Sequence, residues 1–118
     1  MAAPNIVNVT TIYGSTNVAS VITAFSNVVV NQASSGAVVK VNTVTLANYN
    51  TAAISANVDI YRNGTSYLMA GNVSVPAQSI LVVSAKDTSF YLVEGDALRV
   101  NAAANGYITV TSSYETIS

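Results

Sequence analysis

The chain has 118 residues, 51% of them hydrophobic, and a net charge of −1 from four basic and five acidic side chains. That length encloses one hydrophobic core without metals or disulfides. The charge balance argues against the phosphate-neutralising footprint of a nucleic-acid binder and against a basic helix lying on a membrane.

The opening MAAPNIVNVTT has neither a positive start nor an apolar core, so it does not read as a secretory signal. The longest apolar runs, VITAF, NVVV and SILVVSA, fall far short of the ~20 residues that cross a bilayer. The chain is therefore read as made in a cytoplasm. Val, Ile, Thr and Tyr recur throughout, and turn residues punctuate them at the spacing of an all-β protein. The expected fold is an antiparallel β-sandwich, jelly-roll-like or Ig-like. Strands are predicted over 5–13, 18–25, 27–32, 37–47, 54–62, 66–75, 78–85, 89–93, 97–103 and 107–115. Val18, Val21, Ile22, Phe25 and Val29 also fit a helical period, but β-branched crowding favours strands there.

Residues 1–16 are expected to form an extended N-terminal arm and 17–118 the sandwich domain. No charged side chain occurs between Met1 and Gln32. A β-prone, uncharged segment is a hazard if left free, so it should add to a sheet, its own or a neighbour's. Ile6, Val7, Val9, Ile12 and Tyr13 are the expected interface residues.

Two Asn-Gly pairs, Asn63-Gly64 and Asn105-Gly106, predict hairpins. Around the first, Ile60 should face Leu68 and Val58 should face Ala70, with Tyr61 and Tyr67 together on the other face. Around the second, a three-residue loop 104–106 with Gly106 left-handed sets Leu98, Val100 and Ala102 opposite Ser112, Val110 and Ile108. That register gathers one apolar face, whereas a one-residue slip would scatter it.

Candidate chemistry concentrates in FYLVEGDALRVNA, which carries Glu94, Asp96 and Arg99. Two carboxylates two positions apart on one strand could bracket a cation, but Gly95 between them favours a bend. Glu94, Gly95 and Asp96 are thus read as a turn, with Asp96 capping backbone N–H groups. Lys86-Asp87 reads as a solvated turn, and Asp59 and Arg62 as facing solvent or a subunit. With no cysteine and no histidine, the chain lacks thiol nucleophiles, thiolate metal ligands and the usual general base. No metal, cofactor or enzymatic activity is expected. Charged residues make up 8% of the chain, against about 25% in ordinary soluble proteins. Such a surface offers little repulsion between copies, and homo-oligomerisation, as a trimer, is expected.

The phrases MAAPNIVNVTTIYG, VDIYRNGTSYLMAGNVSVPAQSILVVS, FYLVEGDALRV and VTSSYETIS resemble small virion proteins of tailed phages that infect marine cyanobacteria. The resemblance covers most of the chain and implies a virion structural component of the head decoration or cement type, partnered by itself and by the major capsid protein. LVEGDALRV is also similar to the turn in jelly-roll trimers of the C1q and tumour necrosis factor group. The alternatives are a neck, tail or fibre component, or a carbohydrate- or receptor-binding module using exposed tyrosines.

Overall fold

The computed structural model describes residues 11–118. Nine strands are present among them: β1 Ile12–Ser20, β2 Ser26–Val30, β3 Val38–Asn48, β4 Ile54–Arg62, β5 Thr65–Val75, β6 Ser79–Ser84, β7 Phe90–Leu92, β8 Ala97–Ala102 and β9 Ile108–Ile117. They form two antiparallel sheets. One runs β1-β9-β3-β6, with β7 also paired to β3, and the other runs β2-β8-β4-β5. Because β6 meets β3 at 44–48 and β7 meets it at 39–41, the two are one strand broken by the short 3-10 turn Lys86–Thr88. Counted so, the strand order is that of a jelly roll. No helix among the described residues is long and apolar enough to cross a membrane.

The period-2 alternation builds the core directly. Val39, Val41, Val44 and Leu46 of β3 meet Ile108 and Val110 of β9 on the inner face of the first sheet. Ile54, Ala56 and Val58 of β4 with Leu98, Val100 and Ala102 of β8 line the second. The two layers bury these side chains against each other in a single cluster, closed at one end by Val21 and Val75.

Several expectations need correcting. The strands expected over 5–13 and 18–25 are, within the described residues, one strand, β1. Gly14-Ser15-Thr16-Asn17 is not a turn: its register with β9 is continuous from Ile12↔Ile117 to Ser20↔Thr109. The boundary placed between residues 16 and 17 therefore falls inside a strand. Residues 21–25 are neither strand nor helix. They carry the chain from one sheet to the other, held by Ala102 N donating to Ile22 O at 2.9 Å, Gly106 N donating to Val21 O at 3.1 Å, and Thr23 N donating to Asn105 Oδ1 at 2.8 Å.

The hairpin expected around Asn105-Gly106 is also corrected. Gly106 does adopt a left-handed φ of 80°, but β8 and β9 belong to different sheets. Leu98, Val100 and Ala102 face Ile108, Val110 and Ser112 across the core, not along a ladder. The Asn63-Gly64 hairpin stands, with both residues at positive φ (52° and 75°) in a two-residue loop. Val58 pairs with Ala70 as expected, whereas Ile60 faces Tyr67, because an extra residue in β5 shifts the ladder. Tyr61 faces Ser66, not Tyr67.

Candidate assembly surface

The outward face of the β1-β9-β3-β6 sheet is a lattice of small uncharged side chains. Pairing sets Thr16, Ser113 and Thr43 in one row, Val18, Thr111, Thr45 and Val82 in the next, and Ser20, Thr109, Ala47 and Ile80 in a third. Hydroxyls lace it locally: Thr16 Oγ1 lies 3.1 Å from Ser113 Oγ, and Thr45 Oγ1 donates to Thr111 O at 3.4 Å. Val18, Ile80 and Val82 remain 61%, 67% and 56% exposed. Charge enters only in the row beyond, where Glu115 stands between Gly14 and Lys40.

β1 bounds this face, and its own free side can be read from its bonds. Thr11 and Ser118 exchange both backbone hydrogen bonds, at 2.9 and 3.0 Å. In an antiparallel ladder such pairs alternate, so Tyr13, Ser15, Asn17 and Ala19 bond to β9. Ile12, Gly14, Thr16, Val18 and Ser20 turn their N–H and C=O groups outward. No other described strand takes them up. Of the expected interface residues, Ile12 and Tyr13 lie here and are exposed; Ile6, Val7 and Val9 lie outside the described residues.

The Glu94-Gly95-Asp96 segment is a bend, as read from the sequence, with Gly95 at φ 89°. Its two carboxylates turn to different partners. Glu94 Oε2 accepts from Gly36 N at 2.8 Å, while Asp96, buried, caps Val93 N at 3.0 Å and receives the Arg62 guanidinium through Nε and Nη2. Buried Asn31 staples the bend to the 31–37 loop, its Nδ2 donating to Ala37 O and Leu92 O and its backbone O accepting from Gly95 N. Every acidic oxygen named here is committed to holding the turn. Among the described residues, no cluster of three or more potential metal ligands forms.

Asp59 does not face solvent, contrary to expectation. It is fully buried on the outer face of the second sheet, directly opposite Arg99. Arg99 donates through Nε at 3.0 Å and through Nη2, and Ser66 Oγ adds a third donor to the same carboxylate. The guanidinium is sandwiched by Tyr61 at 4.0 Å and Phe25 at 4.6 Å from the ring centroids. The hydrogen bond to Asp59 raises the Arg99 pKa, outweighing the desolvation that opposes it. The signal that could have found this pair is alternation itself. With 58 and 60 inward on one strand and 98 and 100 inward on the next, Asp59 and Arg99 must share the outer face. The pair clamps the 21–25 crossing, through Phe25, onto the sheet.

Tyr49 and Tyr107 approach to 6.3 Å at a tilt. Tyr49 borders an open groove lined also by Ala47, Asn48, Gln78, Ser79 and Ile80, none of them charged.

The fold defines a jelly-roll β-sandwich. No family model matches the chain, and no curated protein matches it. Among solved structures it is similar to a chain from the study "Bacillus endospore appendages form a novel family of disulfide-linked pili", at TM-score 0.56 and 10% identity, covering 92% of this chain and 87% of that one. That likeness shows the sandwich fold.

Proposed function

We propose that the protein is a non-enzymatic structural subunit of a phage virion, a head decoration or cement protein that binds the shell beside copies of itself. One observation carries the reading: three successive rows of Thr, Ser, Val, Ala and Ile side chains without charge on one sheet face, ending in a strand edge that is unbroken and, among the described residues, unpaired. An exposed sheet edge is a template for pairing, and rows without charge avoid the largest desolvation cost when covered, provided their hydroxyls find partners. Main-chain bonds supply adhesion and the alternate side chains supply selectivity. Repeated over a symmetric shell, modest contacts bind by avidity, and whatever binds the folded subunit also stabilises it.

A second reading, a fibre or appendage subunit, is favoured by the fold shared with a chain from a study of disulfide-linked pili. This chain has no cysteine, so any polymer it forms is held by strand pairing and face packing. Quantitative mass spectrometry of the purified virions separates the readings. A copy number comparable to the shell protein is expected for decoration. A number far below it would assign the chain to neck, tail or fibre, and absence from the particle would sink both virion placements.

A further inference from the structure

We infer that β1 is a self-complementary edge at which two copies pair antiparallel, on a two-fold axis passing through Thr16. The inference rests on the reading of the chain as an assembly subunit and specifies its first contact.

Register selects the axis. Ile12, Gly14, Thr16, Val18 and Ser20 each offer one N–H and one C=O on the free side, ten groups together. Antiparallel pairing of two such edges bonds even residues to even residues. Within β1 as described, only the register centred on Thr16 pairs all ten with one another: Thr16 meets Thr16, Gly14 meets Val18, and Ile12 meets Ser20. Every other symmetric register leaves some of these ten without a partner inside β1. None of these residues is proline, so no donor is missing.

Side chains agree with this register. Isologous pairing sets each strand residue near a copy from the same strand, so any charge on β1 would meet like charge or an apolar neighbour. β1 has none. Val18, exposed as it stands, gains the open space above Gly14, where nothing lies within 4 Å of the position a Cβ would take. The Thr16 row becomes Thr43, Ser113, Thr16, then the same three in reverse, and two four-strand faces merge into one continuous lattice. The pairing closes on itself as a dimer and takes the place of the trimer expected from composition.

The remaining edges point the same way by contrast. Asn27 faces Arg99 and Val29 faces Leu98, an extra residue in β2. Val44 faces Ser84 and Thr45 faces Val82, an extra residue in β6. β5 carries two such insertions. Bulges on an edge hinder the approach of another strand. Among the long edge strands described, β1 alone lacks one.

The test uses the whole chain. Light scattering should give twice the chain mass of 12.2 kDa. Thr16→Pro removes an outward donor while leaving the backbone bonds to β9 intact, so it should yield a folded monomer, its melting temperature lowered because the pairing no longer stabilises it. Because the chain has no cysteine, single cysteines then map the register. Thr16→Cys should cross-link on mild oxidation, the Cα atoms lying about 5.5 Å apart on the axis. Gly14→Cys should not, its mate being roughly 13 Å away along the strand. A wild-type monomer at the highest soluble concentration, an undiminished dimer in Thr16→Pro, or equal cross-linking at 14 and 16 would each overturn the inference. A monomer that still decorates particles would overturn this pairing alone. A dimer that never enters them would sink the virion reading and leave the pairing standing.

Discussion

β1 and β5 are both long edge strands, yet they expose their backbones in opposite ways. β1 runs nine residues in unbroken register. β5 runs eleven, but two steps on β4 from Ala56 to Val58 correspond to three on β5 from Val73 to Ala70, and the next single step to Asp59 corresponds to two, ending at Leu68. Asn72 takes a left-handed φ of 52°, and its N–H is turned to Asn57 Oδ1. β5 is the more apolar at its tip, where Tyr67, Leu68 and Met69 are all exposed. Backbone regularity, not side-chain hydropathy, therefore distinguishes an edge fit for pairing from one guarded against it. The charged clamp also lies on the guarded side, where Ser66 of β5 completes the shell of Asp59.

The contrast can be broken hardest at that clamp. Asp59→Ala leaves Arg99 on the sheet without its counter-charge, and removing one partner of a buried pair costs about 3–5 kcal/mol. A urea titration should show stability falling by that amount, with any dimer formed by the remaining folded protein intact, because β1 is not touched. Loss of pairing at full stability would mean that the two edges are coupled. A smaller effect is expected at the β4–β5 turn. Gly64→Ala forces a side chain onto a φ of 75°, and destabilisation of about 1 kcal/mol should follow. Thermal melts should register it, again without change in oligomeric state.

Which parts of this molecule are legible in the sequence follows from what alternation encodes. The bounds of β4 and the inward sets of β8 and β9 can be read there, since period-2 patterning states which face is buried. It does not state what lies opposite. Leu98 and Ile108 could meet along a ladder or across a sandwich with the same pattern, and the second arrangement holds because the 103–107 connection crosses between sheets. Local preference divides β1, because Gly14, Ser15 and Asn17 are turn-prone residues; here they are carried by nine residues of pairing to β9, which overrides that preference. The acidic bend at 94–96 is recognisable from Gly95 alone, but the partners of its carboxylates, Gly36 and Arg62, come from distant loops and strands. Asp59 escapes a local reading for a similar reason. Its burial depends on Arg99, forty residues on, and on two aromatic rings from separate segments.

The smallest effect on stability is expected from the substitution that most sharpens the difference between the edges. Val18→Glu places a charge on the outer face of β1, at a side chain already 61% exposed and paired within the subunit to uncharged Thr111, and surface changes of this kind stay within about 0.5 kcal/mol. In the two-fold register it would lie over Gly14 of the second copy, beside Glu115, which pairs with Gly14 on the same face. Two carboxylates brought together there repel, so the dimer should weaken while the fold of the subunit is retained, the more so at low ionic strength. A charge placed on the guarded edge, Leu68→Lys, removes an exposed apolar side chain of similar size from a strand that pairs with nothing on that side. Sedimentation of both variants should show a shift for the first and none for the second. A shift in Leu68→Lys instead would make the apolar tip of β5 the contact and backbone regularity irrelevant to it.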